Sequence, residues 1–321
     1  MAYQSLLQLP LARYRFDFAD PSQRPAPRFA GSAWRGALGH ELRRIACLTG
    51  ARECEGCTLL HQCAYSYLFA TPVPPEATKL TRYSEAPNPY VLGEEHMEPG
   101  KIRLHLTLFG KSNRHLPLMY QALLRGASGE KGIAGRRMAF VEMRQWRDAG
   151  EEWASILTSH GAPQGNAPTT PKAPPCPFGT IEIELMTPLR IRRNGRHVTP
   201  EQFAFSDLFG NLLRRISLLT SFHTDTPLDV DFSGLNQNAR TVPLLAAQLQ
   251  WVDLRRHSQR QHTDMEIGGL VGSVWVDGAL LESFWPFLWL GQYTHVGRST
   301  TMGLGAYRLH AESLPGPMPN P

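Results

Sequence analysis

Residues 101–125 read Lys-Ile-Arg-Leu-His-Leu-Thr-Leu-Phe-Gly-Lys-Ser-Asn-Arg-His-Leu-Pro-Leu-Met-Tyr-Gln-Ala-Leu-Leu-Arg. In the first nine, Ile102, Leu104, Leu106 and Leu108 alternate with other residues, the period-two pattern of a strand with one buried face. Beyond Phe109 the period lengthens: Leu116, Met119, Tyr120 and Leu123 recur at helical spacing. Ser112 or Asn113 is placed to start that helix, which the pattern carries to about Arg125. A glycine- and arginine-bearing turn, residues 132–137, then leads into the apolar strand Met138–Met143. Strand, helix, strand is the second half of a split βαββαβ unit. Upstream, an extended stretch Leu6–Phe18 and a helical segment Ser32–Leu48 supply the first half.

The same order recurs after residue 177. Strand Thr180–Leu185 is stopped at Pro188, and helix Glu201–Phe222 follows, its stripe carried by Phe205, Leu208, Phe209, Leu212, Ile216 and Leu219. Strands around Gln248–Leu254 and Gly272–Val276, helix Leu280–Leu290 and strand Ala306–Leu309 complete it. Between the halves, residues 161–177 hold six prolines, one charge at Lys172 and no large aliphatic side chain. Such a segment stays extended and makes a linker. The expected fold is therefore α+β, two tandem ferredoxin-like (RRM-like, βαββαβ) domains with a Cys-rich insertion in the first. The domains are 1–160, containing the Cys cluster 47–63, and 178–312, containing a Gly-rich loop at 297–305. A tail follows at 313–321.

With 321 residues there is room for about two domains. Hydrophobic residues at 42% exclude a disordered tail, since cores can be buried. Lys and Arg number 33 against 28 Asp and Glu, and the excess of +5 leans towards a polyanionic partner. Met1–Pro10 lacks the basic start and apolar run of a signal peptide. The most apolar window, residues 280–290, contains Glu282 and Pro286 and falls short of the roughly 20 residues that span a bilayer. A soluble, cytoplasmic protein with no membrane partner is expected.

On a helical wheel of residues 32–48, Trp34, Ala37, Leu38, Leu42 and Ile45 share the core sector. His40 and Arg43 lie opposite, with Arg44 beside them, on a solvent-facing cationic surface. His40 is either a surface histidine without a role or a general acid/base, since imidazole titrates near neutrality. Acting on a phosphodiester, it would use the neighbouring arginines to hold the phosphate and stabilise developing charge. Cys47, Cys54, Cys57 and Cys63 give C-x6-C-x2-C-x5-C, whose central knuckle lets two thiolates grip one ion. A structural zinc fits, with His61 as a substitute ligand; an iron–sulfur cluster or four free thiols are the alternatives. Four protein ligands leave no open position, so such a metal would brace the fold and take no part in catalysis. Cys176 stands apart in the linker as a free thiol.

Near the end, residues 293–308 read Tyr-Thr-His-Val-Gly-Arg-Ser-Thr-Thr-Met-Gly-Leu-Gly-Ala-Tyr-Arg. Gly297, Gly303 and Gly305 permit close backbone approach, and Arg298, Ser299, Thr300 and Thr301 offer donors to phosphate. The Gly-Lys-Ser/Thr ending of a P-loop is missing, and a tight turn without a ligand reads equally from the pattern. A second basic tract, containing Arg255, Arg256 and Arg260, precedes Gly268-Gly269. Two basic, glycine-flanked tracts in one half favour nucleic acid.

Several stretches together resemble one family: residues 35–44 (Arg-Gly-Ala-Leu-Gly-His-Glu-Leu-Arg-Arg), the cysteine cluster running into Tyr67-Leu-Phe69, Leu212–Leu219, Gly268–Gly272 and His295–Tyr307. The resemblance is to the CRISPR-associated endoribonucleases that cut precursor CRISPR RNA within each repeat, the "Cas six" branch of the RAMP proteins. It covers nearly the whole chain in order, with the terminal motif its most specific part. It implies a metal-independent endoribonuclease: the repeat's 2′-hydroxyl attacks the adjacent phosphate, leaving a 2′,3′-cyclic phosphate and a 5′-hydroxyl. His40 is the residue that matches the family's histidine of the first helix, and His295 is the second choice. Arg35, Arg43 and Arg44 are candidates for transition-state support, and Tyr65 and Tyr67 for packing beneath the cysteines. Partners would be CRISPR repeat RNA and other effector-complex subunits. Two other readings compete: a non-cleaving crRNA-binding subunit of an effector complex, and a metal-braced nucleic-acid-binding module unrelated to defence.

Overall fold

A computed structural model describes residues 3–24, 29–77, 79–80, 85–148, 151–158, 161–258 and 263–311. The chain divides into two compact units. The N-terminal unit comprises Leu9–Thr169 with Leu218–Asp225, and the C-terminal unit Thr170–Ser217 and the chain from Thr226, with Met1–Gln8.

In the N-terminal unit the elements run β1 (Leu11–Ala19), α1 (Gly31–Ala46), β2 (Tyr90–His96), β3 (Lys101–Phe109), α2 (Leu116–Ser128), β4 (Ala139–Arg147) and β5 (Glu152–Thr158). All strands are antiparallel in the order β2-β3-β1-β4-β5. The first four give the ferredoxin-like arrangement, with the two central strands being the first and third of the βαββαβ unit. Alternation decides which side is core: Tyr14, Phe16 and Phe18 of β1 and Ile102, Leu104, Leu106 and Leu108 of β3 are buried with Trp34, Leu38 and Leu42 of α1 and Met119, Tyr120 and Leu123 of α2. Burying one such aromatic or aliphatic side chain contributes about 1.5–3 kcal/mol.

The intervening residues of the same strands carry charge. Arg103 Nε donates to Asp17 Oδ1 at 2.8 Å, and His105 Nε2 lies 3.0 Å from Glu95 Oε2. The hydrogen bond with His105 and the nearby Arg103 charge outweigh burial and hold the Glu95 carboxyl down to about 2. β2 is absent from the sequence-based expectation because Gly93 and Glu94-Glu95 break its apolar pattern, yet Glu95 fits the sheet by meeting Arg103 and His105.

The C-terminal unit contains β6 (Thr180–Leu189), the hairpin β7 (Arg192–Arg193) and β8 (Arg196–His197), α3 (Phe205–His223, its last turn counted with the other unit), α4 (Phe232–Thr241), β9 (Ala246–Ser258), β10 (Thr263–Asp277), α5 (Trp285–Thr294) and β11 (Tyr307–His310). Its main sheet is antiparallel in the order β11-β6-β10-β9, again the ferredoxin-like order. Both units therefore have the expected fold.

Pro188 does not stop β6, which runs on to Leu189. The ladder to β10 is interrupted by a register shift between Leu270 and Gly272, where a residue without an N–H is tolerated. The helix expected over residues 280–290 instead starts at Trp285, preceded by a 3₁₀ turn. Residues 161–177 form no helix or strand. Asn166 bonds Gln145 through its N–H (2.6 Å) and carbonyl (3.0 Å), and Pro174 O accepts from Trp285 Nε1 at 2.8 Å. Among the described residues no helix is long and apolar enough to cross a membrane.

Candidate functional site

α1 has the orientation that its wheel implies. Trp34, Leu38 and Leu42 are fully buried, whereas the His40 side chain is 72% exposed, with Nε2 3.7 Å from Glu41 Oε1. Glu41 is itself buried and receives Arg44 Nη1 at 3.0 and 3.1 Å, so Arg44 and His40 share one carboxylate. The wheel missed that carboxylate.

The segment 65–70 packs on α1 at Gly39, where a Cβ would stand 2.3 Å from the Phe69 ring. A larger residue there would drive out Phe69. On either side of Gly39, one turn away, Arg35 lies 4.2 Å from the centre of the Phe69 ring and Arg43 5.8 Å from that of Tyr65. Arg43 also donates to the carbonyls of Ala51 and Arg52, bracing the cysteine-bearing loop. Tyr67 points elsewhere: its hydroxyl meets His223 Nδ1 at 3.2 Å, His223 Nε2 donates to Pro87 O, and Arg114 lies 5.7 Å from the ring. Burial pushes the Tyr67 phenol up to about 12.

Cys47, Cys54, Cys57 and Cys63 all line one pocket beside Tyr65. All four are free thiols. The Thr49 hydroxyl stands 3.9 Å from the Cys47 sulfur and 3.6 Å from that of Cys57, and the Cys63 thiol is directed at Ala46 O, 3.8 Å away. Among the described residues no group of three or more His, Cys, Asp or Glu side chains is arranged to hold a metal ion. His61 is no exception. Cys176 lies apart, its thiol directed at Gly278 O.

The glycine-rich loop is a tightly folded piece of the C-terminal unit. Gly297, Gly303 and Gly305 have φ of +84°, +87° and +71°. A Cβ on Gly305 would stand 1.8 Å from Val296 O. Thr300 and Thr301 are buried, Ser299 is half-buried and Arg298 is exposed, so of the expected phosphate donors Arg298 is the one in open solvent. His295 is enclosed, its Nδ1 3.2 Å from Leu304 O. Burial, then the Arg215 charge, push its imidazole down to about 3.

The folded state thus keeps His295 neutral where the unfolded chain, at about 6.5, takes up a proton. The folded form binds fewer protons, so the stability that His295 lends is complete above pH 6.5 and is lost as pH falls towards 3. The slope is at most about 1.4 kcal/mol per pH unit. Thermal unfolding between pH 7 and 4.5 should therefore show a smaller midpoint decline in His295→Gln than in the wild type.

Arg298 brings with it residues that the sequence reading did not select. Its backbone N–H donates to Arg190 O at 3.0 Å, and the charges acting on Arg190 are those of Arg298 and Arg192. His197 is held low by burial, then by Arg192, Arg190 and Arg298. This crowd of cations is built by the β7–β8 hairpin, whose turn residues Asn194 and Gly195 both have positive φ. Arg192, Arg196 and Arg298 are exposed. Of the second basic tract, Arg255 and Arg256 lie in β9 opposite Glu266 and Met265, and Arg260 falls outside the described residues.

Residues 9–169 match AF_1859_N, a family of N-terminal domains, and residues 183–307 match the family described as CRISPR-associated endoribonuclease Cas6. No curated protein sequence matches the chain. Among solved structures, a Thermus thermophilus Cas6 aligns over 94% of this chain and 98% of its own at 14% identity, with a TM-score of 0.53. A Cas6-related protein from Pyrococcus furiosus aligns over 94% and 100% at 10% identity, with a TM-score of 0.50. A chain of a partial Cas6-RT-Cas1–Cas2 complex is matched over 98% of this chain and 49% of that one, at 14% identity and a TM-score of 0.57. These identities speak to the fold, and residues 183–307, following the N-terminal match in sequence order, carry the domain of the Cas6 family of CRISPR-associated endoribonucleases.

Proposed function

We propose that the protein cleaves CRISPR repeat RNA by a metal-independent transesterification in which His40 moves the proton. The observation that carries this reading is the position of His40, an exposed imidazole on a helix whose exposed side also bears Arg44. The 2′-hydroxyl on the 5′ side of the scissile bond attacks the phosphorus, forming a 2′,3′-cyclic phosphate. The P–O5′ bond breaks, and the leaving oxygen takes a proton and departs as a 5′-hydroxyl. His40 either receives the 2′ proton or supplies the 5′ one, work that is worth about 10²–10⁴-fold in rate.

Arg44, 63% exposed, exchanges Glu41 for the phosphate and stabilises the charge that builds on it. Arg43, committed to the Ala51 and Arg52 carbonyls, positions the cysteine-bearing loop. Arg298 and its neighbours bind the RNA backbone, and affinity falls steeply with salt. Because the nucleophile belongs to the substrate, a repeat RNA should be cut in excess EDTA, while the same RNA lacking the 2′-hydroxyl at the cut site should stay intact.

A further inference from the structure

The arginine-bearing hairpin β7–β8 carries His197, which packs against an exposed aromatic ring. Trp251 of β9 is 37% exposed, unusual for so large an apolar side chain. Its indole is held on two sides. Nε1 donates to Asp253 Oδ1 at 2.9 Å, and the ring meets His197 edge-on at a centroid distance of 5.5 Å.

Beneath the indole lies Gly268 of β10, the direct cross-strand partner of Asp253. A Cβ on Gly268 would fall 2.4 Å from Trp251 Nε1 and 2.5 Å from Cζ2, so the Nε1–Cζ2 edge of the indole stands over a strand position without a side chain. The Gly268-Gly269 pair, which the sequence marks without explaining, has this as its first task. Gly269 has a second, since its Cβ would meet Pro188 and Leu189 O at 2.9 Å.

His197 joins this ring to the cations. The charges that act most on it are those of Arg192, Arg190 and Arg298. Arg190 Nε is enclosed without a hydrogen-bond partner among the described residues. Like charges drawn together and a buried donor left without an acceptor both cost free energy. A bound anion offsets both.

We propose that Trp251, Arg190, Arg192 and Arg298 form a subsite for one unpaired RNA nucleotide, the base stacking on the indole and the flanking phosphates held by the guanidiniums. The charge selects a polyanion, and the flat exposed ring selects one with a free π-face, which a duplex does not offer. The proposed function supplies only the identity of that polyanion as RNA.

The test is fluorescence anisotropy of a labelled single-stranded repeat RNA, and of the same RNA annealed to its complement, titrated with wild type, Trp251→Ala, Trp251→Phe and Arg192→Ala. Trp251→Ala should bind the single strand on the order of 10- to 100-fold more weakly. Trp251→Phe should stay within a few-fold of wild type, and the duplex should not distinguish Trp251→Ala from wild type. Arg192→Ala should flatten the salt dependence by about one phosphate contact. Thermal unfolding at the wild-type midpoint establishes that each variant is folded. Equal binding of the single strand by Trp251→Ala and wild type overturns the subsite and leaves the proposed function standing. So does a Trp251→Phe variant as weak as Trp251→Ala. A wild-type protein that binds neither RNA overturns both.

Discussion

His40→Ala lowers the rate of repeat-RNA cleavage by about 10²–10⁴-fold and leaves the affinity for uncut RNA within a few-fold of wild type. In the proposed mechanism the two numbers differ because His40 acts on the transition state, where a proton is in flight, more than on the ground state. Its exposure makes the substitution clean: the side chain is 72% exposed, so alanine opens no buried cavity. Single-turnover cleavage and anisotropy on the same preparation separate the effects. If rate and affinity fall together, His40 is an RNA contact. If neither falls, the proton is carried by another group.

Gly305→Ala should destabilise the C-terminal unit by about 3 kcal/mol, lowering the thermal midpoint by about 6–12 °C. Two costs combine. The residue sits at φ +71°, where an L side chain is strained, and its new Cβ would press on the Val296 carbonyl, 1.8 Å away before relaxation. Relief requires residues 296 and 305 to separate, which breaks the 3.0 Å bond from Val296 N–H to Gly305 O and loosens the 3.2 Å bond from Gly305 N–H to Pro188 O. Arg298 is carried on the loop between them, so RNA affinity should weaken as well. Differential scanning calorimetry measures the first effect and anisotropy the second. An unchanged midpoint would mean that the loop yields without strain.

The order of strands and helices in both units was legible from periodicity. Ile102 to Leu108 define β3 residue for residue, and the stripe from Phe205 to Leu219 defines most of α3. Elements were lost where the signal depends on a partner in the neighbouring strand: Glu95 in β2 belongs in a sheet because Arg103 and His105 face it.

The site was legible where exposure follows from a wheel, as for His40. It was not legible where enclosure depends on tertiary packing, as for His295, Thr300 and Thr301. The threonine hydroxyls suggested phosphate contacts and the imidazole a second choice of catalytic group, yet the loop folds all three inward. Spacing grouped the four cysteines without saying what they hold, and in the fold they line one pocket, with the Thr49 hydroxyl near the Cys47 and Cys57 sulfurs and the Cys63 thiol directed at Ala46 O. The arginine hairpin carried a signal that went unused, since Asn194-Gly195 between basic residues marks a two-residue turn. A reading that ended β6 at Pro188 stopped short of it.

The central claim is that the RNA supplies its own nucleophile and that this chain, without a catalytic metal, moves the proton. A repeat RNA carrying one 2′-deoxyribose immediately 5′ of the scissile phosphate, incubated with wild type in excess EDTA beside the all-ribose RNA, tests it directly. The all-ribose RNA should be cut to a 2′,3′-cyclic phosphate and a 5′-hydroxyl while the deoxy substrate binds and remains whole. Cleavage of the deoxy substrate at the same bond would contradict it.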